Sequence, residues 1–419
     1  MGLSFFEIQG SSPLSGQIRI HGSKNAVLPM MAATILHRGT TILTNVPRIL
    51  DVFWMIGILK TLGCQVWFEE DVLTIDASVV TSTIIPQYLA EKMRSSIIFL
   101  GPLLGRCNKA SLWYPGGCSI GSRPIDLHAE VLRAMGAKIQ EDGEHLDVTA
   151  ETLSGCTFSF RFASVGATEN AIMCAVNANG KTVLNNVARE PEIRDLCRML
   201  VKMGAKIDGI GSSKLVIEGN SQLHNSSFRV PPDRIVAATY LSAVTVCGGR
   251  IQLCEVPVYD LRAVLAVLQK CGCRFRKRKS GLDVWCYQRP WAVPYTKTQV
   301  YPGFPTDVQS LLMTVLSKAE GVSVIEETIF EARFHTALQL QRMGADIQIN
   351  HSYAQIRGVV SLHGADVTAM DLRGGAALTI AGVSAEGKTI VRAVEHVFRG
   401  YESLERDLAA MGANIVLKQ

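Results

Sequence analysis

The chain has 419 residues, of which 47% are hydrophobic and 19% charged, and its formal net charge is +5. This composition excludes a disordered chain and is typical of a globular protein with room for two domains. No apolar run reaches the roughly 18 residues that span a bilayer, and the N-terminus has neither the basic start nor the apolar core of a signal peptide. We therefore expect a cytoplasmic protein that does not bind membranes.

The cysteines and the one dense basic run favour neither a metal site nor nucleic-acid binding. The eleven cysteines are scattered without the paired spacing of metal ligands, so we expect reduced and mostly buried thiols. The basic run at 274–279 (RFRKRK) lies between two strand-like segments and has no known binding motif. We interpret it as a solvated hairpin turn and expect no nucleic-acid partner.

One pattern occurs six times along the chain: leucine, two variable residues, an apolar residue, glycine, a small residue, a variable residue and an apolar residue. The six glycines are Gly63, Gly136, Gly204, Gly272, Gly344 and Gly412. The pattern predicts the last turn of an amphipathic helix, a glycine in the left-handed conformation and the start of a strand. Most copies follow a glycine with alternating strand residues, as in GTTILTNV and GKTVLNNV. Each repeat is therefore predicted to contain a strand, a loop, a helix, a glycine cap and a further strand.

Six repeats of this kind predict two closed α/β domains of three repeats each, with either the helices or the sheets inside. The boundary is predicted near residue 230, at the segment RVPPDR, so that one domain comprises 22–230 and the other comprises 1–21 and 231–419. The sixth repeat ends at residue 419 without its last strands. The N-terminal segment is therefore expected to complete it.

The strand-to-helix loop of the second repeat is longer than its counterparts because of the added segment PGGCSIGSR. Cys118 lies among glycines in this loop, and Arg123 precedes a helix that is predicted to begin near Asp126. Backbone amides at a helix start and a neighbouring arginine lower the pKa of a thiol, and arginine also attracts phosphate. From the spacing alone, the loop either carries a reactive thiol or is a flexible surface turn with an incidental cysteine.

Other polar side chains exceed what the repeat requires. Lys24 and Asn25 follow a Gly-Ser turn at a helix start, where the lysine either meets an anion or is solvated beside an N-cap. Asp307 lies between two proline turns and an apolar helix, which suits an N-cap or a general base. Arg333, Arg373 and Arg399 lie at predicted strand-to-helix loops or a helix start, and Arg94 adds a further cation. Each alone would be a surface ion pair, but together these cations favour a small substrate with carboxylate and phosphate groups.

Eight motifs, in order across essentially the whole chain, resemble the UDP-N-acetylglucosamine 1-carboxyvinyltransferases. They are GSKNAVLP, PGGCSIGSRPIDLH, SVGATEN, AREPEIRDL, YPGFPTDVQ, FEARF, DLRGGAAL and RGYESLE. The resemblance implies a two-domain inside-out α/β barrel, with helices inside, sheets outside and the active site in the cleft between the domains. It also implies transfer of the enolpyruvyl group of phosphoenolpyruvate to the 3-hydroxyl of UDP-N-acetylglucosamine, with release of phosphate, as the first committed step of peptidoglycan synthesis.

The resemblance implies a role for each matching residue. Lys24 and Arg123 would hold the phosphate of phosphoenolpyruvate, and Arg399 would hold its carboxylate. Arg94 and Arg373 would support this anion site. Asp307 would take the proton from the sugar hydroxyl. Cys118 would act as an acid in the addition step or assist product release, on a loop that closes over both substrates. Residues implied to contact UDP-N-acetylglucosamine are Asn25, Arg94, Arg123, Pro124, Ile125, Asp126, Leu127, Ser164, Val165, Gly166, Asp307 and Ile329.

The resemblance implies no metal and no organic cofactor, because phosphate is already a good leaving group and cationic side chains stabilise the developing charge. We expect a monomer. Two segments depart from the family pattern: Val236 and Ala238 replace an acidic residue and a glycine, and Phe162 replaces a lysine or acidic residue. These departures keep two alternatives open, a related transferase that acts on another nucleotide and a non-catalytic protein that binds UDP-N-acetylglucosamine. A shikimate-pathway enolpyruvyl transferase would lack the cysteine loop and the SVGAT and GFPTD motifs.

Overall fold

The computed structural model describes residues 4–10, 13–116 and 125–419. These residues form two compact units, one from Gly22 to Pro231 and the other from Pro232 to Gln419 together with the N-terminal segment that ends at His21. Within the described ranges, none of the helices combines the length and the apolar character needed to cross a membrane.

The elements recur in the order that the sequence repeat predicts. The strands are β1 (Phe5–Gln9), β2 (Leu14–Arg19), β3 (Thr40–Thr44), β4 (Gln65–Glu69), β5 (Val72–Asp76), β6 (Ile84–Ile85), β7 (Lys109–Trp113), β8 (Lys138–Glu141), β9 (His145–Thr149), β10 (Thr157–Ser159), β11 (Lys181–Asn185), β12 (Lys206–Asp208), β13 (Lys214–Glu218), β14 (Ser226–Arg229), β15 (Gly249–Cys254), β16 (Arg274–Arg278), β17 (Gly281–Cys286), β18 (Tyr295–Lys297), β19 (Val322–Glu326), β20 (Asp346–Asn350), β21 (Tyr353–Arg357), β22 (Asp366–Thr368), β23 (Lys388–Arg392) and β24 (Asn414–Lys418). The α-helices are α1 (Lys24–Ala33), α2 (Leu50–Thr61), α3 (Gln87–Ala90), α4 (Leu100–Cys107), α5 (Asp126–Ala134), α6 (Val165–Asn177), α7 (Pro191–Lys202), α8 (Arg234–Cys247), α9 (Arg262–Lys270), α10 (Gln309–Ser317), α11 (His335–Arg342), α12 (Leu372–Ser384) and α13 (Leu404–Ala410). Short 3-10 helices span Thr34–Leu36, Arg94–Phe99, Val258–Leu261, Thr306–Val308 and Val394–Arg399.

The described strands form six four-stranded sheets with one shared topology. A strand at one edge pairs in parallel with the first strand of the repeat, which pairs antiparallel with the second strand of a hairpin. The sheets of the Gly22–Pro231 unit have the orders β14-β3-β5-β4, β6-β7-β9-β8 and β10-β11-β13-β12. Those of the other unit have the orders β2-β15-β17-β16, β18-β19-β21-β20 and β22-β23-β1-β24.

The N-terminal segment supplies the strand that the sixth repeat lacks. Glu7 of β1 pairs antiparallel with Ile390 of β23 on one side and with Val416 of β24 on the other. β1 therefore takes the place that the second hairpin strand has in the other five sheets. This pairing confirms the expectation that the start of the chain completes the last repeat.

Within each unit the helices that open the repeats lie inside and the sheets lie outside. All residues of α8 except Cys247, and all of α12 except Leu372, are buried. Their alanines, glycines and small hydroxyl residues allow close packing on every side, and the serine and threonine hydroxyls bond back to helix carbonyls, as Thr379 does to Gly375 at 2.8 Å. The strands alternate between buried and more exposed residues, so one face of each sheet packs on the inner helices of its own unit. This arrangement confirms the inside-out α/β barrel class.

All six repeat glycines have a positive φ, between 89° and 114°. Each lies between the end of the second helix of its repeat and the strand that follows. A side chain at this position is strained by the backbone conformation, and at Gly63 a Cβ atom would also lie 2.5 Å from the Thr81 hydroxyl. The predicted glycine caps are confirmed.

Candidate active site

Asp307 lies between two buried arginines in the unit that contains β15 to β24. Its two carboxylate oxygens accept hydrogen bonds from Arg333 Nη2 at 3.0 Å and from Arg373 Nη2 at 3.3 Å. The side chains of both arginines are 3% exposed, whereas that of Asp307 is 28% exposed. The two buried guanidinium groups thereby hold in place a carboxylate that is partly exposed to solvent.

Local structure positions two of these side chains, Asp307 and Arg373. Asp307 is the central residue of the 3-10 helix Thr306–Val308, directly before α10, and the N-cap residue of α10 is Val308 rather than Asp307. Arg373 lies in the first turn of α12, where the Asp371 side chain accepts hydrogen bonds from the Arg373 and Gly374 amides at 2.9 and 3.0 Å. Such a cap rigidifies the helix start that carries the guanidinium.

Charge compensation keeps the Arg373 guanidinium protonated although it is buried. Burial disfavours the charged form, but the nearby carboxylate of Asp307 outweighs that cost, and the pKa of Arg373 is raised above its ordinary value. The guanidinium also lies over the Tyr401 ring, with its carbon 5.6 Å from the ring centroid. Tyr401 follows the half-buried Arg399, which ends the 3-10 helix Val394–Arg399.

Three buried N–H donors, on the two arginines that bond Asp307 and on Gln309 two residues after it, have no hydrogen-bond partner among the described residues. They are Arg333 Nε, Arg373 Nη1 and Gln309 Nε2. A buried donor without a partner costs about 1 to 3 kcal/mol, and native proteins seldom retain several together. Donors of this kind on two cations and an amide suit an anionic or strongly polar ligand.

In the Gly22–Pro231 unit, Lys24 is not a solvated lysine. Its Nζ atom lies 2.7 Å from Asp51 Oδ2, and the two side chains are 12% and 1% exposed. Lys24 and the half-buried Asn25 are the first residues of α1, and Asp51 lies in the first turn of α2. The ammonium group is thereby placed at a helix start, where backbone amides also favour an anion.

The segments around 125–127 and 164–166 meet at His128. Ser164 Oγ caps α6 through the Ala167 amide at 3.4 Å, and Val165 and Gly166 open that helix. A Cβ atom on Gly166 would lie 3.1 Å from the His128 ring, so glycine permits this close packing. Ile125 and Leu127 are buried at the start of α5. At the same helix start, Asp126 pairs with Arg161.

Asn170 ties His128 to a third segment. Its Oδ1 accepts from the Gly101 amide at 2.7 Å, while its Nδ2 donates to the Ile97 carbonyl at 2.9 Å and meets His128 Nδ1 at 2.8 Å. Since the Gly101 contact fixes which amide atom is oxygen, His128 Nδ1 accepts and the neutral ring carries its proton on Nε2. Burial, and secondarily the charge of Arg94, lowers the pKa of His128 to about 3. Arg94 is half-buried and begins the 3-10 helix that contains Ile97.

Comparison with known proteins identifies the family. The family described as EPSP synthase (3-phosphoshikimate 1-carboxyvinyltransferase) matches residues 8–408. The UDP-N-acetylglucosamine 1-carboxyvinyltransferase 2 of Caldanaerobacter subterraneus subsp. tengcongensis is 44% identical, over 98% of this chain and 99% of that protein. The UDP-N-acetylglucosamine 1-carboxyvinyltransferase of Cellvibrio japonicus is 45% identical, over 98% of each chain. The chain belongs to the enolpyruvyl transferase family.

Solved structures of this family share the fold. The enolpyruvyl transferase NikO from Streptomyces tendae superposes with a TM-score of 0.91 at 24% identity, over 100% of this chain and 99% of that one. An EPSP synthase from Acinetobacter baumannii gives a TM-score of 0.77 at 20% identity, over 100% of both chains. The resemblance to UDP-N-acetylglucosamine 1-carboxyvinyltransferases that the eight motifs carry is confirmed by the full-length relatives.

The structure describes some of the residues that the family motifs predict for the site and not others. Cys118, Arg123 and Pro124 lie outside the described residues. In the described part of the chain, Asp307, Arg333 and Arg373 are brought together, and the segments of Arg94, Asp126 and Gly166 meet around His128 and Asn170. Ile329 lies in the loop after β19, where its amide donates to Glu327 at 2.8 Å. No group of three or more His, Cys, Asp and Glu side chains within the described ranges could hold a metal ion.

Two of the departures from the enolpyruvyl transferase pattern are accommodated by apolar packing. Val236 and Ala238 are fully buried in α8, within the hydrophobic core of their unit. The N-terminus of α8 is still capped, because Asp233 Oδ1 accepts from the Ile235 and Val236 amides at 2.7 and 3.1 Å. Phe162, in contrast, is 48% exposed.

Sequence reasoning missed four polar side chains that contact candidate site residues or their segments within each unit: Asp51, His128, Asn170 and Glu327. Asp51 is the one acidic residue in the apolar helix α2, which is a weak signal for a buried ion pair. His128 and Asn170 are the last residues of the motifs PGGCSIGSRPIDLH and SVGATEN, and neither residue type in these motifs indicates a buried hydrogen bond. Glu326 and Glu327 are adjacent at the end of β19. The sequence does not indicate which of the two carboxylates is buried.

Proposed function

We propose that this chain transfers the enolpyruvyl group of phosphoenolpyruvate to the 3-hydroxyl of UDP-N-acetylglucosamine and releases phosphate. The identity of 44 to 45% to full-length carboxyvinyltransferases supports the reaction. The observation that carries the catalytic assignment is the Asp307 carboxylate, which is exposed enough to meet a substrate and is fixed by two buried guanidinium groups.

Asp307 is the general base in this proposal. It removes the proton of the sugar 3-hydroxyl as the oxygen attacks C2 of phosphoenolpyruvate, and a proton is added at C3, which gives a tetrahedral intermediate. Loss of phosphate and of one C3 proton then restores the double bond. The ionised carboxylate is the form that a base needs, and the neighbouring cations favour it.

The cationic residues bind phosphoenolpyruvate and stabilise charge as phosphate leaves. Lys24 and Arg123 hold the phosphate, Arg399 holds the carboxylate, and Arg94 and Arg373 support the anion site. Lys24 is suited to this role because its ammonium lies at the start of α1 and is oriented by Asp51. Cys118 donates a proton in the addition step or assists release of the product.

The nucleotide sugar is bound through segments that the described chain already orders. We assign Ser164, Val165 and Gly166 at the start of α6, together with Asp126 and its neighbours, to this substrate. The N-terminus of α6 suits a diphosphate, since the helix dipole favours negative charge there. The remaining residues of the set are Asn25, Arg94, Arg123, Pro124, Asp307 and Ile329. The proposal includes a cytoplasmic monomer, and light scattering should give the mass of a single chain.

Phosphate release measures the reaction directly. Purified protein is incubated with phosphoenolpyruvate and UDP-N-acetylglucosamine, and inorganic phosphate and the enolpyruvyl product are quantified, with each substrate omitted in turn. We expect release that requires both substrates. Tight binding of the nucleotide sugar without phosphate release would instead identify a binding protein, and release with a different nucleotide only would identify a related transferase.

Asp307→Asn tests the base. The substitution keeps the shape of the side chain and removes its basicity, so we expect turnover to fall by at least about a hundredfold, within the usual contribution of a general base. Binding of UDP-N-acetylglucosamine, measured by calorimetry, should survive. Because the two arginines lose a countercharge, the circular dichroism and melting temperature of the variant are compared with those of the wild type. A folded variant with wild-type turnover would remove Asp307 from this role.

A further inference from the structure

Glu327 is a buried carboxylate that gathers four donors from three segments of the chain. It follows β19 directly and is 3% exposed. Oε1 accepts hydrogen bonds from the Thr298 hydroxyl at 2.9 Å and from the Ile329 and Phe330 amides at 2.8 and 3.2 Å. Oε2 accepts from the Thr306 hydroxyl at 2.9 Å.

These hydrogen bonds form a closed loop through the candidate base. Thr306 is the residue before Asp307 in the same 3-10 helix. The chain that contains the two bonded amides continues to Arg333, whose guanidinium returns to Asp307 at 3.0 Å. Glu327 therefore holds both the backbone that carries the base and the backbone that carries its arginine partner.

Comparison with the sister repeats shows that the turn at Glu327 departs from the repeat. The residue that follows the first strand has a left-handed backbone in four repeats, namely Asn45, Asn186, Glu255 and Ala393, with φ between 52° and 57°. Glu327 occupies this position in the fifth repeat without a positive φ. The backbone turn used elsewhere is replaced here by a turn built around a side chain.

Asn45 and Asn186, which occupy the position of Glu327 in two other repeats, show how a glutamate changes the hydrogen bonding there. Asn45 Nδ2 donates to the Val230 carbonyl, just after the neighbouring parallel strand β14, and Asn186 Nδ2 donates to the corresponding carbonyl after β10, both at 2.8 Å. Glu327 makes the equivalent contact, after β18, with the opposite polarity, because it accepts from a hydroxyl. An ionised carboxylate has several acceptor sites, so contacts remain for the Ile329 loop and for the segment of Asp307.

We propose that Glu327 is a positioning residue for the transferase reaction, which fixes the separation of Asp307 and Arg333 and the path of the Ile329 loop. The inference rests on the proposed function, since Asp307 is the base only in that reaction. Glu327 acts through Thr306 and the two amides and needs no contact with either substrate.

The test compares Glu327→Gln with Glu326→Gln. The first variant keeps size and shape but removes the charge: the two amides can only donate, so the new N–H₂ must face a threonine hydroxyl that turns round to accept, and the bonds to the remaining donors lose their charge assistance. The second makes the same change one residue earlier, where the side chain bonds Tyr295 and Lys297 instead. We expect kcat to fall at least tenfold in Glu327→Gln, with the KM for phosphoenolpyruvate within about threefold of the wild type, and both constants to stay near wild type in Glu326→Gln.

Thr306→Val separates positioning of the base from stabilisation of the fold. It removes only the contact to Oε2, so kcat should fall several-fold while the KM for UDP-N-acetylglucosamine is unchanged. A folded Glu327→Gln protein with kcat within twofold of the wild type would overturn the proposal. If Glu327→Gln does not fold, wild-type kcat in Thr306→Val overturns it equally.

Hydrogen exchange gives a readout that needs no turnover. The Ile329 and Phe330 amides should exchange at least tenfold faster in Glu327→Gln than in Glu326→Gln, at a temperature where both variants are folded. If the wild type shows no transferase activity, the proposed reaction fails, but accelerated exchange would still show that Glu327 orders this loop. Unchanged exchange together with an active wild type would refute the positioning role alone.

Discussion

Acidification should destabilise the Gly22–Pro231 unit through His128. The ring is buried, its Nδ1 accepts from Asn170, and the pKa is lowered from an ordinary 6.5 to about 3, first by burial and then by Arg94. In the unfolded chain the same ring gains a proton near pH 6.5. Between these two pH values the unfolded state binds more protons than the folded state, so stability is lost as the pH falls.

The magnitude follows from the separation of the two pKa values. Between the two pKa values the free energy of unfolding falls by about 1.4 kcal/mol per pH unit. From pH 7 to pH 5 the fall amounts to about 2 kcal/mol, because the unfolded ring is largely neutral at pH 7. His128→Gln removes the titrating group while its amide oxygen can still accept from Asn170. Other groups titrate alike in both proteins, so the stability advantage of the wild type over the variant should shrink by about 2 kcal/mol between pH 7 and pH 5.

Urea unfolding of both proteins at pH 7, 6 and 5, followed by tryptophan fluorescence, measures this difference. Since both units contain tryptophans, the transition compared is the one that His128→Gln shifts at pH 7. A ring-nitrogen NMR titration of labelled histidine gives the folded pKa directly. A difference in unfolding free energy that stays constant across the three pH values would refute the reasoning. So would a His128 ring that titrates above pH 5 in the folded protein.

Three further predictions concern thiols, glycines and a buried ion pair. An epoxide analogue of phosphoenolpyruvate should alkylate Cys118 first, because burial raises the pKa of nine of the ten described thiols; peptide mass spectra with label spread over several cysteines would contradict this. Gly63→Ala should lower the melting temperature more than Gly180→Ala, since both have positive φ but only at Gly63 does an added Cβ meet backbone and hydroxyl atoms within 3 Å; equal losses would count against it. A double-mutant cycle of Lys24→Met and Asp51→Asn should give a coupling free energy above about 1 kcal/mol in urea unfolding, and a value near zero would show that the pair is not coupled.

The repeat could be predicted because its signals are local. A helix end, a glycine and a strand start lie within eight residues, and a backbone with φ near 90° or above strongly favours glycine, as at all six positions. The completion of the sixth repeat by β1 followed from counting strands. Whether helices or sheets lie inside did not follow from periodicity, because α8 and α12 are apolar or small on every side and show no polar face.

Long-range polar pairs could not be predicted in the same way. Lys24 and Asp51 are 27 residues apart, and nothing in the local sequence marks Asp51 as the partner of the lysine. The arginine pair around Asp307 comes from two different repeats, so sequence could indicate a surplus of cations but not which ones share a carboxylate. Such contacts depend on how helix starts from different repeats meet, which a single repeat does not encode.

The repeat itself supplies a way to find functional residues, because a fold of six similar units makes departures visible. At the position after the first strand, the second and fifth repeats lack the left-handed residue that the other four share: Tyr114 opens the cysteine loop, and Glu327 opens the loop to Arg333. A left-handed residue closes a short turn through its backbone conformation, whereas its loss lets the loop lengthen or turn around a side chain. Placing asparagine at 327 should therefore restore the sister turn and move Arg333 away from Asp307, which predicts a folded Glu327→Asn protein with normal stability and a larger loss of kcat than Glu327→Gln. Equal kcat in the two variants would show that the loop path does not depend on residue type at this position.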